Sequence, residues 1–126
     1  MYKYLILIVL FLVACSSDLA IEVDKIERIS VTFFAKDSSN IQTQKFSYGA
    51  SDIELEQFKQ WVENNRAGWK PYIATVAVGD MMISGEQFTF YLSNDFAVVN
   101  VSSSTGEHSQ YSKRIARDEF VQFKRP

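Results

Sequence analysis

Most of this chain is written in two hydrophobic rhythms, an alternation of period two and a single stretch at helical spacing. From Ile26 to Phe34, Ile29, Val31 and Phe33 fall on one side of an extended chain, with Arg28, Ser30 and Thr32 on the other. That alternation predicts a half-buried β-strand. Lys36-Asp37-Ser38-Ser39-Asn40 is turn chemistry. Ile41 to Tyr48 alternates weakly and is mostly polar, which suits an edge strand paired to the first as a hairpin.

The helical stretch runs from about Asp52 to Ala67. Ser51 and Glu54 have capping-box spacing, so each side chain can meet a free backbone N–H of the first turn. Leu55, Phe58 and Val62 form an apolar stripe with Trp61 beside it, which packs against a sheet. Gly68 supplies a left-handed residue to close the helix, and Pro71 prevents its resumption.

Period two then returns. Tyr72 to Val78, Met81 to Ile83, Gln87 to Leu92, Phe96 to Val101 and His108 to Ile115 all read as strands. Asp118 to Phe123 reads as a last helical turn that lays Phe120 and Phe123 on the sheet. Strands joined by short turns are antiparallel, and one helix covers one face of a sheet. The expected fold is therefore α+β, an antiparallel sheet of about five to six strands packed against one main helix at about residues 52–67.

The first residues follow neither rhythm. After Lys3, Tyr4 to Ala14 carries no charged or strongly polar side chain. Such a run makes about 16 Å of helix, short of a bilayer core of roughly 30 Å. A basic start, a short apolar run and small residues at its end are the marks of a secretory signal peptide. Leu12-Val13-Ala14-Cys15 resembles the lipobox of bacterial lipoproteins, with Cys15 in the position that follows the cut. The resemblance implies a diacylglycerol on the Cys15 thiol, cleavage before Cys15 and acylation of the new amino terminus. Two or three acyl chains anchor stably where one binds only marginally. Ser16, not Asp, follows the cysteine, and in a Gram-negative cell that implies the outer membrane, facing the periplasm. In a Gram-positive cell the same motif implies the outer face of the plasma membrane. The expected organisation is a removed signal peptide over 1–14, a lipidated tether over 15–21 and a single α+β domain over 22–126.

Composition narrows the chemistry. Cys15 is the only cysteine, so no internal disulfide forms and the fold rests on packing, for which ten Phe, six Tyr and two Trp are ample. Losing Lys3 from the 13 basic residues leaves 12 against 15 acidic, a net charge of −3, which argues against nucleic acid as a partner. His108 is the sole histidine, which removes every two-histidine metal site, and a thiolate site goes with the lipidated cysteine. No Gly-x-Ser-x-Gly elbow, phosphate loop or dinucleotide fingerprint is present. Glu54, Glu56 and Glu63 sit on the polar helix face, where Glu56 with Lys59 and Glu63 with Arg66 read as surface pairs. His108 reads as a solvated or hydrogen-bonded strand residue. No catalytic residue, cofactor or metal is expected, nor an enzyme.

Two features are candidates for partner contact. From Pro71 to Ser112 there is no Lys or Arg, while Asp80, Glu86, Asp95 and Glu107 fall at or near strand ends. Lys113, Arg114, Arg117, Lys124 and Arg125 then crowd the C-terminus. This is either an acidic rim that meets a cationic partner, or ordinary turn composition beside a solubilising tail. Trp69 and Tyr72 follow the helix, and either anchor a partner or seal the helix end. In size, anchor and layout the chain resembles small periplasmic inhibitor and immunity lipoproteins, though no motif of the mature chain carries that likeness. The expected function is that of a lipid-anchored cell-envelope binding protein, held to the membrane by acyl chains on Cys15 and acting on a protein partner. The alternative is an accessory subunit of an envelope assembly or secretion complex.

Overall fold

The alternating segments do pair with one another, and in a single sheet. The structure is a computed structural model that describes residues 18–36, 40–76, 79–103, 105–116, 119, 120 and 123, without the side chain of Lys36. In chain order the elements are a short 3-10 turn at Val23–Lys25, β1 (Arg28–Lys36), β2 (Ile41–Gly49), helix α1 (Ile53–Asn64), β3 (Lys70–Pro71), β4 (Met81–Ser84), β5 (Phe88–Ser93), β6 (Phe96–Ser102) and β7 (His108–Arg114). The strands lie in the order β2-β1-β4-β5-β6-β7-β3, and every neighbouring pair is antiparallel. The α+β class holds, with seven strands among the described residues rather than five or six. The addition is β3, two residues long, which pairs Lys70 with Ser112 and Pro71 with Tyr111.

Register decides which residues meet α1. Val31, Ile83, Phe90, Val99 and Tyr111 stand side by side across β1, β4, β5, β6 and β7. The first four are fully buried beneath α1, whose Leu55, Phe58, Trp61 and Val62 are buried against them. Rings dominate this core. Phe58 stacks on Phe88 at 5.6 Å and meets Phe90 edge-on at 5.6 Å, while Trp61 contacts Trp69, Phe90 and Phe120. Each such side chain contributes about 1.5–3 kcal/mol of burial, and offset or edge-on rings add some tenths to about one more. Phe120 and Phe123 are buried in the same core, as the final apolar pair suggested.

Both helix ends differ from expectation. Asp52, not Ser51, stands at the N-cap, and no side-chain capping bond forms. The Asp52 carboxylate accepts instead from the Gly49 N–H at 2.7 Å, so it braces the turn that leaves β2. The helix also stops at Asn64 rather than Ala67. Asn65 Nδ2 donates to the Trp61 carbonyl at 2.9 Å, and Trp69 Nε1 donates to the Asn65 carbonyl at 2.6 Å, so side chains occupy acceptors that a further turn would have used. Gly68 does take the left-handed conformation, at φ +85°, but beyond the helix, where it turns the chain towards β3.

The expected strand over 72–78 does not form over its described residues, 72–76, and Ala77 and Val78 lie outside the described set. After Pro71 the chain leaves the sheet edge, and residues 72–74 lie over the face opposite α1. Gln110, whose side chain is on that face, donates to the carbonyls of Tyr72 and Ala74 at 3.1 and 2.9 Å, and Tyr72 packs on Phe96 at 5.8 Å. Gly79 lies close against β5, where a Cβ would collide with the Leu92 carbonyl. Asp80 then enters beside β5 through its N–H to the Leu92 carbonyl.

Candidate functional site

The residues ahead of β1 are part of the fold. Leu19, Ile21, Val23 and Ile26 are all buried in the core. Leu19, Ile21 and Val23 alternate with Ala20, Glu22 and Asp24, a period-two pattern that lays one side of the segment on the core and exposes the other. Leu19 and Ile21, expected to lie in the tether, are thus packed in the core.

Arg66, just past α1, holds this strap in place. Its Nη1 donates to the Leu19 carbonyl at 2.9 Å and to the Ile21 carbonyl at 3.0 Å, while the Leu19 N–H donates to the Arg66 carbonyl at 2.7 Å. The other side of the guanidinium is a fork to Glu63, with Nε–Oε2 at 3.0 Å and Nη2–Oε1 at 2.7 Å. The hydrogen bonds from Arg66 hold the Glu63 carboxyl below its ordinary value, and Glu63 raises the guanidinium in return. The i,i+3 pair expected from sequence is therefore a brace for a third element. Glu56 and Lys59 also meet, more loosely, at 3.9 Å.

The strap walls two clefts. One, of about 390 Å³, lies between residues 20–28 and the turn from β4 to β5. The other, of about 790 Å³, lies between residues 20–25, the end of α1 and the turn from β6 to β7. Glu22, Asp24, Glu27, Glu63, Glu86 and Glu107 line the two, against Lys25, Arg28 and Arg66. Among these, Glu22 pairs with Lys25 at 2.6 Å, which raises the Lys25 pKa, and Glu63 is committed to Arg66. Clefts of this size with acidic walls suit a cationic segment of a partner.

The residues singled out from sequence are dispersed. Trp69 is fully buried, so it is not exposed to anchor a partner. Its indole caps the helix end, and Lys113 crosses its ring at 5.9 Å while donating to the Ala67 carbonyl at 2.9 Å. Tyr72 is half-buried on Phe96, on the face away from α1. The acidic rim divides between the two ends of the sheet. Asp80 and Asp95 stand at the end that carries the β5–β6 turn, and Glu86 and Glu107 at the opposite end, beside the strap. Antiparallel hairpins turn at alternate ends, so successive turns cannot share a rim. Asp95 has a cation at hand, Arg114 Nη1 at 3.5 Å. With Lys113 on the helix end and Arg114 on Asp95, the C-terminal basic group is also dispersed, and Arg117, Lys124 and Arg125 lie outside the described residues.

His108 is exposed and its Nδ1 lies 3.0 Å from Ser102 Oγ, its partner across the β6–β7 ladder. Among the described residues, no carboxylate is hydrogen-bonded to that imidazole to orient it, and no group of three or more His, Cys, Asp or Glu is placed to hold a metal ion. No helix among them is long and apolar enough to cross a membrane. Cys15 lies outside the described residues. Sequence reasoning missed the strap and Arg66. The signal is Leu19-Ala20-Ile21-Glu22-Val23-Asp24, whose alternation is that of a segment packed along one side. Against known proteins, the chain matches no family model, no curated protein and no solved structure.

Proposed function

We propose that this is a lipid-anchored binding protein of the cell envelope, of the inhibitor or immunity kind, which engages a protein partner through the clefts beside the strap. The observation that carries the reading is the strap itself. The segment that follows Cys15 is seated in the core from Leu19 onward and supplies one wall of both acidic clefts. An anchor at Cys15 would hold those clefts within a few residues of the lipid, where a partner acting at the membrane has to pass. Their carboxylates would speed the approach of a basic segment over about a Debye length, 8–10 Å at physiological salt.

Glu86 and Glu107 are exposed turn residues, one on each cleft, and their replacement leaves the core untouched. Capture from envelope extracts with the wild type and with Glu86→Lys/Glu107→Lys tests the surface. The expected result is loss of a protein retained by the wild type, with that retention weakening as salt rises. An identical set of captured proteins would remove the clefts from consideration.

A further inference from the structure

The two edges of this sheet are built in opposite ways. At one edge, β3 is only two residues long, and one of them, Pro71, has no N–H to offer. At the other, β2 runs Ile41–Gly49 and pairs with β1 over nine consecutive positions without a bulge. Its residues Ile41 to Lys45 are all exposed, and Ile41 keeps 64% of its surface in water. Near the turn that joins the two strands, β4 reaches only to Asp80 opposite Phe34, so Ala35 and Lys36 run on with β2 as a two-stranded arm. An isolated two-stranded ribbon is only marginally stable in water. An exposed edge such as Ile41 to Lys45 offers backbone donors and acceptors to a further strand, a template that natural sheets blunt with bulges, prolines or charges. Here the one charge from Ile41 to Gly49 is Lys45.

We propose that β2 pairs antiparallel with β2 of a second copy of this chain, about a two-fold axis at Thr43. The sequence is self-complementary in that register. Thr43 meets its own counterpart, a favoured cross-strand pair. Ile41 meets Lys45 of the second copy, whose methylene stem covers the exposed Ile41 side chain while its ammonium stays in water. Gln42 meets Gln44, so side-chain amides face each other. No charge opposes a like charge, whereas centring the pair on Lys45 would oppose two ammonium groups. The two sheets become one, with β3 as its outer strand at each end. The contact involves one strand from each copy, so it belongs with small and reversible interfaces rather than obligate ones. Its axis at Thr43, which pairs with Phe34, lies at the opposite end of β1 from Arg28 and Ser30, the residues of that strand that line a strap cleft.

Sedimentation of the full chain, in mild detergent if it is membrane-bound, tests this over about 1 µM to 1 mM, the span of moderate to weak contacts. The wild type is expected to pass from monomer to dimer within that range. Thr43→Lys and Thr43→Glu each place like charges face to face at the axis, and should raise the dimer dissociation constant about tenfold or more. An equimolar mixture of the two variants should dimerise again, because opposite charges then meet. Thr43 is exposed, and circular dichroism matching the wild type verifies that both variants are folded. A wild type that stays monomeric throughout overturns the proposal. So does a dimer indifferent to both substitutions, or variants whose mixture fails to recover.

Discussion

Arg66 shows how much a single side chain does here. It binds two strap carbonyls on one side and Glu63 on the other, so it joins α1 to the segment that precedes β1. Replacing Arg66 with Ala leaves the carbonyls of Leu19 and Ile21 without this donor, at a cost of about 1–3 kcal/mol. Hydrogen exchange should report the loss first at residues 19–26, with the sheet amides protected as before; uniform loss everywhere would mean that the strap is not a separate unit. The same brace has a pH dependence. Because Arg66 holds the Glu63 carboxyl below its ordinary value, that contribution is complete above the ordinary carboxylate range. It disappears as the pH falls through the depressed value of the folded state. Protection factors at the strap, referenced to the intrinsic exchange rate at each pH, should thus fall in acid in the wild type, and Glu63→Gln should remove that acid limb. Trp69 is the opposite case, a residue whose chemistry suggested contact and whose place in the fold is interior. Trp69→Ala should destabilise by about 3–5 kcal/mol in urea unfolding, the cost of a large core truncation. A stability near that of the wild type would return the indole to the surface.

At the scale of elements, the sequence was most legible where period and length agreed. The α1 stripe of Leu55, Phe58 and Val62, the β1 alternation and the four later strands were all readable, because each buries one face on a shared core. Ends were harder to read. Ser51 and Glu54 satisfied a local capping rule, yet the Asp52 carboxylate was taken by the turn from β2, a competition the spacing does not reveal. Tyr72 to Val78 has strand-forming residues, but residues 70–72 are held at the far edge by β7, and β4 stands between β1 and β5. The chain between them must cross rather than pair. The strap's alternation is legible too, but it directly follows the lipobox-like motif, where a tether is the ordinary expectation. The candidate site suffered most from this. Its acidic residues come from the strap, α1 and two turns, and only the tertiary fold gathers them.

For the molecule as a whole, the fold explains an arrangement of charge that composition concealed. One end of the sheet gathers the strap, its clefts and Glu86 and Glu107, while the other carries Asp80 and the Asp95–Arg114 pair. The β2 edge lies along a third side, where Ile41 to Lys45 are exposed. A tether at Cys15 would fix how these surfaces stand relative to the lipid, since Leu19 is already part of the core. That anchor is the central claim of the functional reading, and the mass of the membrane-extracted protein tests it most directly. The wild type is expected to begin at Cys15 and to carry a diacylglycerol with a further acyl chain, and the Cys15→Ser variant to be released or left unprocessed, without lipid. A wild type recovered without acyl mass, or a Cys15→Ser variant still lipidated and held in the membrane, would contradict it.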